Sequence, residues 1–300
     1  METKSVHPRK VRVVDVFTDK ALAGNQLAVV LDGRDMPEEL MQRIAREMNF
    51  SETTFLLPPE NPSHAARVRI FTPDKELPFA GHPTIGTAWV LVDEGVVDTL
   101  DFVLEEGSGL VPVRGARENG RVKFWMTHPK LKFGQVFPHA RVASALGIDE
   151  SEIVTDVPAQ IAFTGLPFMF VALRSASAVD AAEGDRARLS KLLRGKVQGV
   201  YLFAVNGPGK LYGRMLAPDT HEDPATGSAA GPLGGFAVRY GLVARAPEVS
   251  IVSEQGTKMG RQSFLHVSLT YDDGADMPSR IEVGGSVMPV LSGTLADLGS

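Results

Sequence analysis

The sequence predicts an α+β fold of two like domains, each holding one buried helix surrounded by strands. Three observations predict it. First, residues 69–82 and 214–228 read as diverged copies of one unit, with one residue inserted before the second proline. Pro78 and Pro224, Gly81 and Gly227, His82 and Ser228, and Gly95 and Gly241 are each 146 residues apart, close to half of the 300-residue chain. A period that long implies two like domains. Second, each copy runs into a stretch with little polar surface, 84–92 and 228–240, followed by Gly95 or Gly241 in the position of a C-terminal cap. A helix of that kind is wrapped by other structure. Third, short runs with strand patterning lie on either side of both stretches.

Taken in order, residues 11–17 form a strand-like run. Asp35 and Glu38 have the spacing of a capping box, and Leu40, Met41, Ile44 and Met48 recur at helical intervals until Asn49 offers a left-handed stop. From Phe50 the chain is extended, with Phe50, Glu52, Thr54 and Leu56 on one face and Ser51, Thr53, Phe55 and Leu57 on the other, until Pro58-Pro59 ends it. Glu52 therefore sits at a helix-to-strand junction. A strand over 66–72 leads through the Pro73-Asp74 turn to the first repeated loop. Beyond each central helix the echo continues, residues 102–107 resembling 251–256 at an offset of 149. The segment 115–120 reads as a tight turn, and the domains are expected as 1–126 and 127–300, with the last strand able to return to the first. In the second half, 141–146 and 183–193 read as short helices and 199–205 and 264–269 as strands. Residues 161–173, broken by Gly165 and Pro167, read as buried strands too short to cross a bilayer.

Composition narrows the chemistry. The chain has 31 Lys and Arg against 36 Asp and Glu, a formal net charge of −5, and no basic stripe, so nucleic acid is not an expected partner. It contains no cysteine, which removes disulfides, thiol catalysis and thiolate metal sites together. The polar N-terminus has no apolar core before a cleavage site, and a cytoplasmic location without membrane attachment is expected.

Gly81-His82-Pro83 and Thr226-Gly227-Ser228 lie where a loop enters a helix, so their backbone N–H groups are placed to bind an anion such as a carboxylate. The plainer alternative is an ordinary cap, with Ser228 capping its own helix and His82 packed in the loop. Glu52 is a candidate general base beside Phe50 and Phe55, or else a solvated strand residue. Asp223 stands five residues before Ser228, and its alternative is a turn residue. Gly107-Ser108-Gly109 and Gly207-Pro208-Gly209-Lys210 lack the spacing of nucleotide-binding loops, and Gly227-Ser228-Ala229-Ala230-Gly231 is not a nucleophile elbow. His221-Glu222-Asp223 offers metal-ligand types, but consecutive residues do not converge, and no metal is expected.

The ordered set resembles the phenazine-biosynthesis isomerase family, the PhzF-like proteins of the diaminopimelate epimerase-like fold. The matching pieces are 14–17 and 24–30, then 49–55, 79–84, 222–230, and Glu254-Gln255-Gly256 with Met259-Gly260-Arg261. The resemblance implies two pseudo-symmetric domains, each a strand-rich barrel around a central helix, with the active site in the cleft between them. It implies a cofactor-independent proton shift in which Glu52 takes a proton from carbon and returns it elsewhere. The family's His, Asp and Ser fall on His82, Asp223 and Ser228, and its backbone-contributing glycines on Gly81 and Gly227. A small carboxylate-bearing substrate and a homodimer are what the family suggests.

Epimerase relatives carry paired cysteines where this chain has His82 and Ser228, so a two-thiol racemisation is impossible here. One carboxylate acting as base and then acid suits an isomerisation. Two other readings stay open: a serine hydrolase using Ser228, His82 and Asp223, and a binding protein without catalysis. Pro232, Gly234 and Gly235 break the pattern of the second central helix, for which packing against the neighbouring domain is the expected reason.

Overall fold

The repeat is realised almost strand for strand. The computed structural model describes residues 9–118, 120–195, 197–218 and 222–296. Its elements in the first half are β1 (Lys10–Val16), β2 (Asn25–Val30), α1 (Glu38–Met48), β3 (Glu52–Leu57), β4 (Ala66–Phe71), β5 (Glu76–Leu77), α2 (Gly81–Asp93), β6 (Asp101–Glu106), β7 (Gly109–Glu118) and β8 (Arg121–Thr127). There follow β9 (Lys132–Phe137), α3 (His139–Leu146), β10 (Ala159–Phe163), β11 (Phe168–Ala172), α4 (Ala176–Ala181), α5 (Arg186–Leu193) and β12 (Val200–Val205). The chain closes with β13 (Lys210–Leu216), α6 (Gly227–Arg239), β14 (Glu248–Gln255), β15 (Ser263–Thr270) and β16 (Arg280–Thr294). It divides into two units: one of the described residues up to Leu22, Gln26–Met126 and those from Ser286 on, the other of Ala23–Asn25 and Thr127–Gly285.

In the first unit the ladder runs β1-β2-β3-β4-β6-β7-β8. The end of β16 pairs antiparallel with β1, from Val16 opposite Val287 to Lys10 opposite Thr294. In the second unit the ladder runs β9-β10-β11-β12-β13-β14-β15 and on to the start of β16. The pairing senses repeat. β2–β3 and β4–β6 are parallel and β3–β4 and β6–β7 antiparallel; β11–β12 and β13–β14 are parallel and β12–β13 and β14–β15 antiparallel. A parallel pair needs a crossover between its strands, and α1, α2 and α6, with α4 and α5, supply these crossovers.

The central helices α2 and α6 are the same length and end alike. Gly95 N–H bonds the Val92 carbonyl and Val96 N–H the Leu91 carbonyl; Gly241 and Leu242 repeat this on Val238 and Ala237. This double closure needs the left-handed residue that Gly95 and Gly241 supply, at φ 67° and 69°. In the first unit α2 packs on β1 and β3. A Cβ at Gly86 would come 2.6 Å from Leu27 Cδ2 on β2 and 2.8 Å from Val16 Cγ2 on β1, so the helix packs there without room for a side chain. In the second unit α6 packs on β15, β10 and β11.

The outer helices cover the other side of each ladder. Met41, Ile44 and Ala45 of α1 join Phe55 and Phe71 in one buried cluster, with the two rings edge to face at 5.5 Å. Val142, Leu146, Val179, Leu189 and Leu193 build the corresponding cluster in the second unit. Each fully buried side chain of this size contributes roughly 1.5–3 kcal/mol.

Several expectations need correction. Asp35 does not cap α1: it has φ 56°, and Pro37 precedes the helix without a side-chain cap. Gly115 lies inside β7 opposite Phe124, where a Cβ would meet that ring and Leu100 at 2.9 Å. The helix expected from 183 starts at Arg186, because Asp185 accepts from Arg188 N–H and caps it there. The glycines of α6 are explained inside their own unit: a Cβ at Gly234 would lie 2.8 Å from Val267, and one at Gly235 would overlap Leu131. Pro232 is the sixth residue of α6, so it removes the ladder bond to the Ser228 carbonyl.

Candidate active site

The strand period decides where Glu52 points. Thr54 shares its face, and the Thr54 hydroxyl meets that of Thr87 on α2 at 3.0 Å. Glu52, two residues earlier, therefore faces the start of α2. Its Oε2 lies 3.3 Å from Nδ1 of His82, and the two side chains are 15% and 5% exposed. Phe55 points the other way, into the cluster under α1, and is not part of this environment.

His82 is the second residue of α2, with Ala80 as N-cap. Burial pushes its imidazole down to about 3, so at neutral pH the contact with Glu52 is not an ion pair. Its Nε2 lies 3.3 Å from the Gln26 carbonyl, which can only accept, so Nε2 carries the ring hydrogen. Nδ1 then presents a lone pair to Glu52. Only a proton carried by Glu52 completes a hydrogen bond across that gap.

In the second unit Asp223 is pinned to β13 by a bridge to Met215. Asn25 Nδ2 donates to Asp223 Oδ1 at 2.8 Å, and the Thr226 hydroxyl donates to Oδ2 at 2.6 Å. Thr226 is the N-cap of α6, but its side chain serves Asp223 rather than the helix. Gly227 and Ser228 are the first and second residues of α6, as Gly81 and His82 are of α2. Ser228 is therefore not the cap of its own helix. The N–H groups at the first two positions of each helix come before the hydrogen bonds that Ala229 and Ala230 make to the Thr226 carbonyl and Thr84 to the Ala80 carbonyl, and lie at the positive end of the helix dipole; Pro83 in the third position forfeits none that the ladder needs.

The structure thus groups Glu52, His82 and Gly81 in the first unit, and Asp223, Gly227 and Ser228 in the second. Both ring nitrogens of His82 are engaged by Gln26 and Glu52, which does not favour the hydrolytic triad. Glu222 forms a two-point ion pair with Arg214, its nearer contact 2.8 Å, and His221 lies outside the described residues. Among the described residues no three His, Asp or Glu gather as a metal site, and no helix is long and apolar enough to cross a membrane.

Three groups carry no role in the sequence analysis: Asn25 and Gln255 fall within matching segments, and Glu106 within the echoed run 102–107. Glu106 accepts from or donates to the Thr84 hydroxyl at 2.7 Å, while burial pushes its carboxyl up to about 8. The Thr84 hydroxyl also reaches the Ala80 carbonyl at 2.8 Å. With its single proton on that carbonyl, Thr84 accepts from a protonated Glu106. The echo of 102–107 in 251–256 was the available signal. A cavity of about 540 Å³ in the first unit takes in Glu106 but none of the predicted site residues. Its charges pair among themselves, Arg69 with Glu76 and His64 with Glu105.

Comparison with known proteins gives concordant findings. A family model described as "phenazine biosynthesis-like protein" matches residues 14–293. An uncharacterized isomerase of Mesorhizobium japonicum is 38% identical, the match covering 96% of this chain and 98% of that one. The trans-2,3-dihydro-3-hydroxyanthranilate isomerase of Pseudomonas fluorescens is 37% identical, over 94% and 98%. A solved structure of a predicted epimerase from Pseudomonas aeruginosa superposes with a TM-score of 0.82 at 32% identity, covering 97% of this chain and all of that one.

Proposed function

The chain belongs to the phenazine biosynthesis-like family, and from that premise we propose that this isomerase moves a proton within a small carboxylate-bearing metabolite, without a cofactor, using Glu52 as acid and base. The observation that carries the reading is the Glu52–His82 contact. A base that must return its proton has to hold it meanwhile, and Nδ1 of a neutral His82 is an acceptor for the acid form of Glu52 at 3.3 Å. The proton taken from carbon is then kept in place by the Glu52–His82 contact until it is delivered to a second carbon. The N–H groups of Gly81 and Gly227 supply donors for the substrate carboxylate or an enolate-like charge. Asp223 accepts from a donor group of the substrate, and Ser228 hydrogen-bonds it. With no cysteine in the chain, a one-carboxylate shift fits better than a two-thiol inversion.

The 37% identity to the Pseudomonas fluorescens enzyme makes trans-2,3-dihydro-3-hydroxyanthranilate the first compound to try. Turnover in deuterium oxide is expected to place deuterium at the receiving carbon only in those turnovers in which the acid proton on Glu52 exchanges with solvent before delivery, and otherwise to leave the substrate's own hydrogen there. Glu52→Gln is expected to lower kcat at least about 100-fold, since an amide cannot exchange the proton. Full turnover by that variant on a true substrate sinks the mechanism.

A further inference from the structure

The segment Glu254-Gln255-Gly256 belongs to the matching set, but the proton shift gives it no task. Gln255 is wholly buried, and its amide is fully used. Oε1 accepts from the Tyr201 hydroxyl at 2.9 Å and from Thr226 N–H at 3.0 Å. Nε2 donates to the Asp223 carbonyl at 2.8 Å and to the Thr226 hydroxyl at 3.0 Å. Because that hydroxyl accepts from Gln255, its own proton is directed to Asp223 Oδ2. Asn25 Nδ2 donates to the other carboxylate oxygen and to the Ala225 carbonyl. Arg261, from the second half of the same segment, donates to the carbonyls of Ala23 and Gly24 and so holds the residues before Asn25.

Gly256 lets the network close. At φ 76°, its missing side chain would lie 2.6 Å from the Pro224 carbonyl oxygen. The first unit repeats the device. A Cβ at Gly107 would lie 2.9 Å from Pro78 Cα, and Ser108 N–H bonds the Pro78 carbonyl at 2.8 Å. There the residue in Gln255's place is Glu106, 149 positions earlier. As a protonated acid it offers one donor and one carbonyl, which resembles a primary amide, and it bonds the first turn of α2 through Thr84.

We propose that Thr226 and Asn25 are positioning residues that hold Asp223 as an ionised acceptor on both carboxylate oxygens, and that Gln255 acts through Thr226 by orienting its hydroxyl. The inference rests on the reading of Asp223 as a substrate-binding residue, and it adds a class. A carboxylate so held presents acceptor capacity only, so the substrate group it meets is a hydrogen-bond donor, an amine or a hydroxyl, rather than a second carboxylate. Among the described residues, the titratable and charged groups on the surrounding elements include Tyr201 on β12, the Arg214–Glu222 pair, Glu254 on β14 and Arg261. All of these are present in every variant below.

The test is a carboxyl-carbon NMR titration of the full chain labelled at aspartate, with Asp223 identified by the signal lost in Asp223→Asn. Thr226→Val is expected to raise the Asp223 midpoint by at least one pH unit, and Thr226→Ser, which keeps the hydroxyl, to restore it. Gln255→Leu is expected to move it the same way by a smaller amount, and Asn25→Ala, removing a donor outside the α6 cap, serves where a Thr226 variant does not fold. An unchanged midpoint in the folded variants overturns the inference, as does a shift that Thr226→Ser fails to reverse. No substrate enters this measurement, so its failure is distinct from failure of the functional reading, which full turnover by Asp223→Asn would signal.

Discussion

At the scale of single residues, what matters is which form a group is held in. His82 has an ionisable ring at a place where burial forbids the charge, so its task is to accept. Replacing it with Gln keeps a polar side chain but not the aromatic acceptor facing Glu52. His82→Gln is expected to lower kcat roughly 10- to 1000-fold while changing KM less, a split that steady-state kinetics on an accepted substrate would read. The position of Glu52 was legible in the sequence: the period of two puts it on the face of Thr54. What it meets there was not, because His82 is 30 residues further on and the neutrality of its ring depends on the packing around it. The same holds for Asp223, whose donors include Thr226 nearby and Asn25, nearly 200 residues earlier.

At the scale of elements, the two central helices carry the argument, and their boundaries were the most readable part of the chain. Gly95 and Gly241 marked both C-terminal caps correctly, because the left-handed closure is a local demand that Gly meets at little cost. The glycines inside α6, referred by the sequence to the neighbouring domain, answer instead to residues of their own unit, Val267 and Leu131, far off in sequence. The two kinds separate in a stability measurement. Gly95→Ala meets no atom within 4 Å and should cost about 1 kcal/mol, the penalty of the left-handed backbone alone. Gly86→Ala would press on Leu27 and Val16 and should cost roughly 1–3 kcal/mol, read as a lower denaturation midpoint in urea. Glu106 adds a pH dependence of known sign. Its carboxyl is held up near 8 in the fold, so folding takes up a proton that the unfolded chain releases near 4.5. Stability from this group is therefore fully present below about 4.5 and falls as pH rises, by about 1.4 kcal/mol per pH unit, until about 8. Glu106→Gln should remove that slope, so the variant gains on the wild type as the unfolding series moves from pH 5 to pH 8.

At the scale of the whole molecule, each unit buries a neutral histidine, and this sets the acid limit of stability. Burial pushes His82 down to about 3 and His128 to about 4. Unfolded histidines take up protons near 6.5, so the unfolded chain gains on the folded one as pH falls through that value. Each histidine should remove about 2 kcal/mol of stability between pH 7 and pH 5. His128→Gln should recover about half of the combined loss, and calorimetric unfolding at the two pH values measures it. His128 bonds Thr164 at 2.8 Å, and a Cβ at Gly231 would stand 2.7 Å from its ring nitrogen, so its burial reflects how closely α6 is packed there.

By itself the sequence determined that the chain is a duplication, where both central helices end, which face carries Glu52, and that no thiol takes part. These follow from period, capping and composition, which are properties of neighbours along the chain. Only the tertiary structure decided that β16 pairs along its length with strands of both halves, that His82 and Glu106 are neutral, and that Gln255 and Thr226 direct a proton at Asp223. Each of these depends on distances between residues far apart in sequence and on the loss of water around them, and neither is written in local pattern.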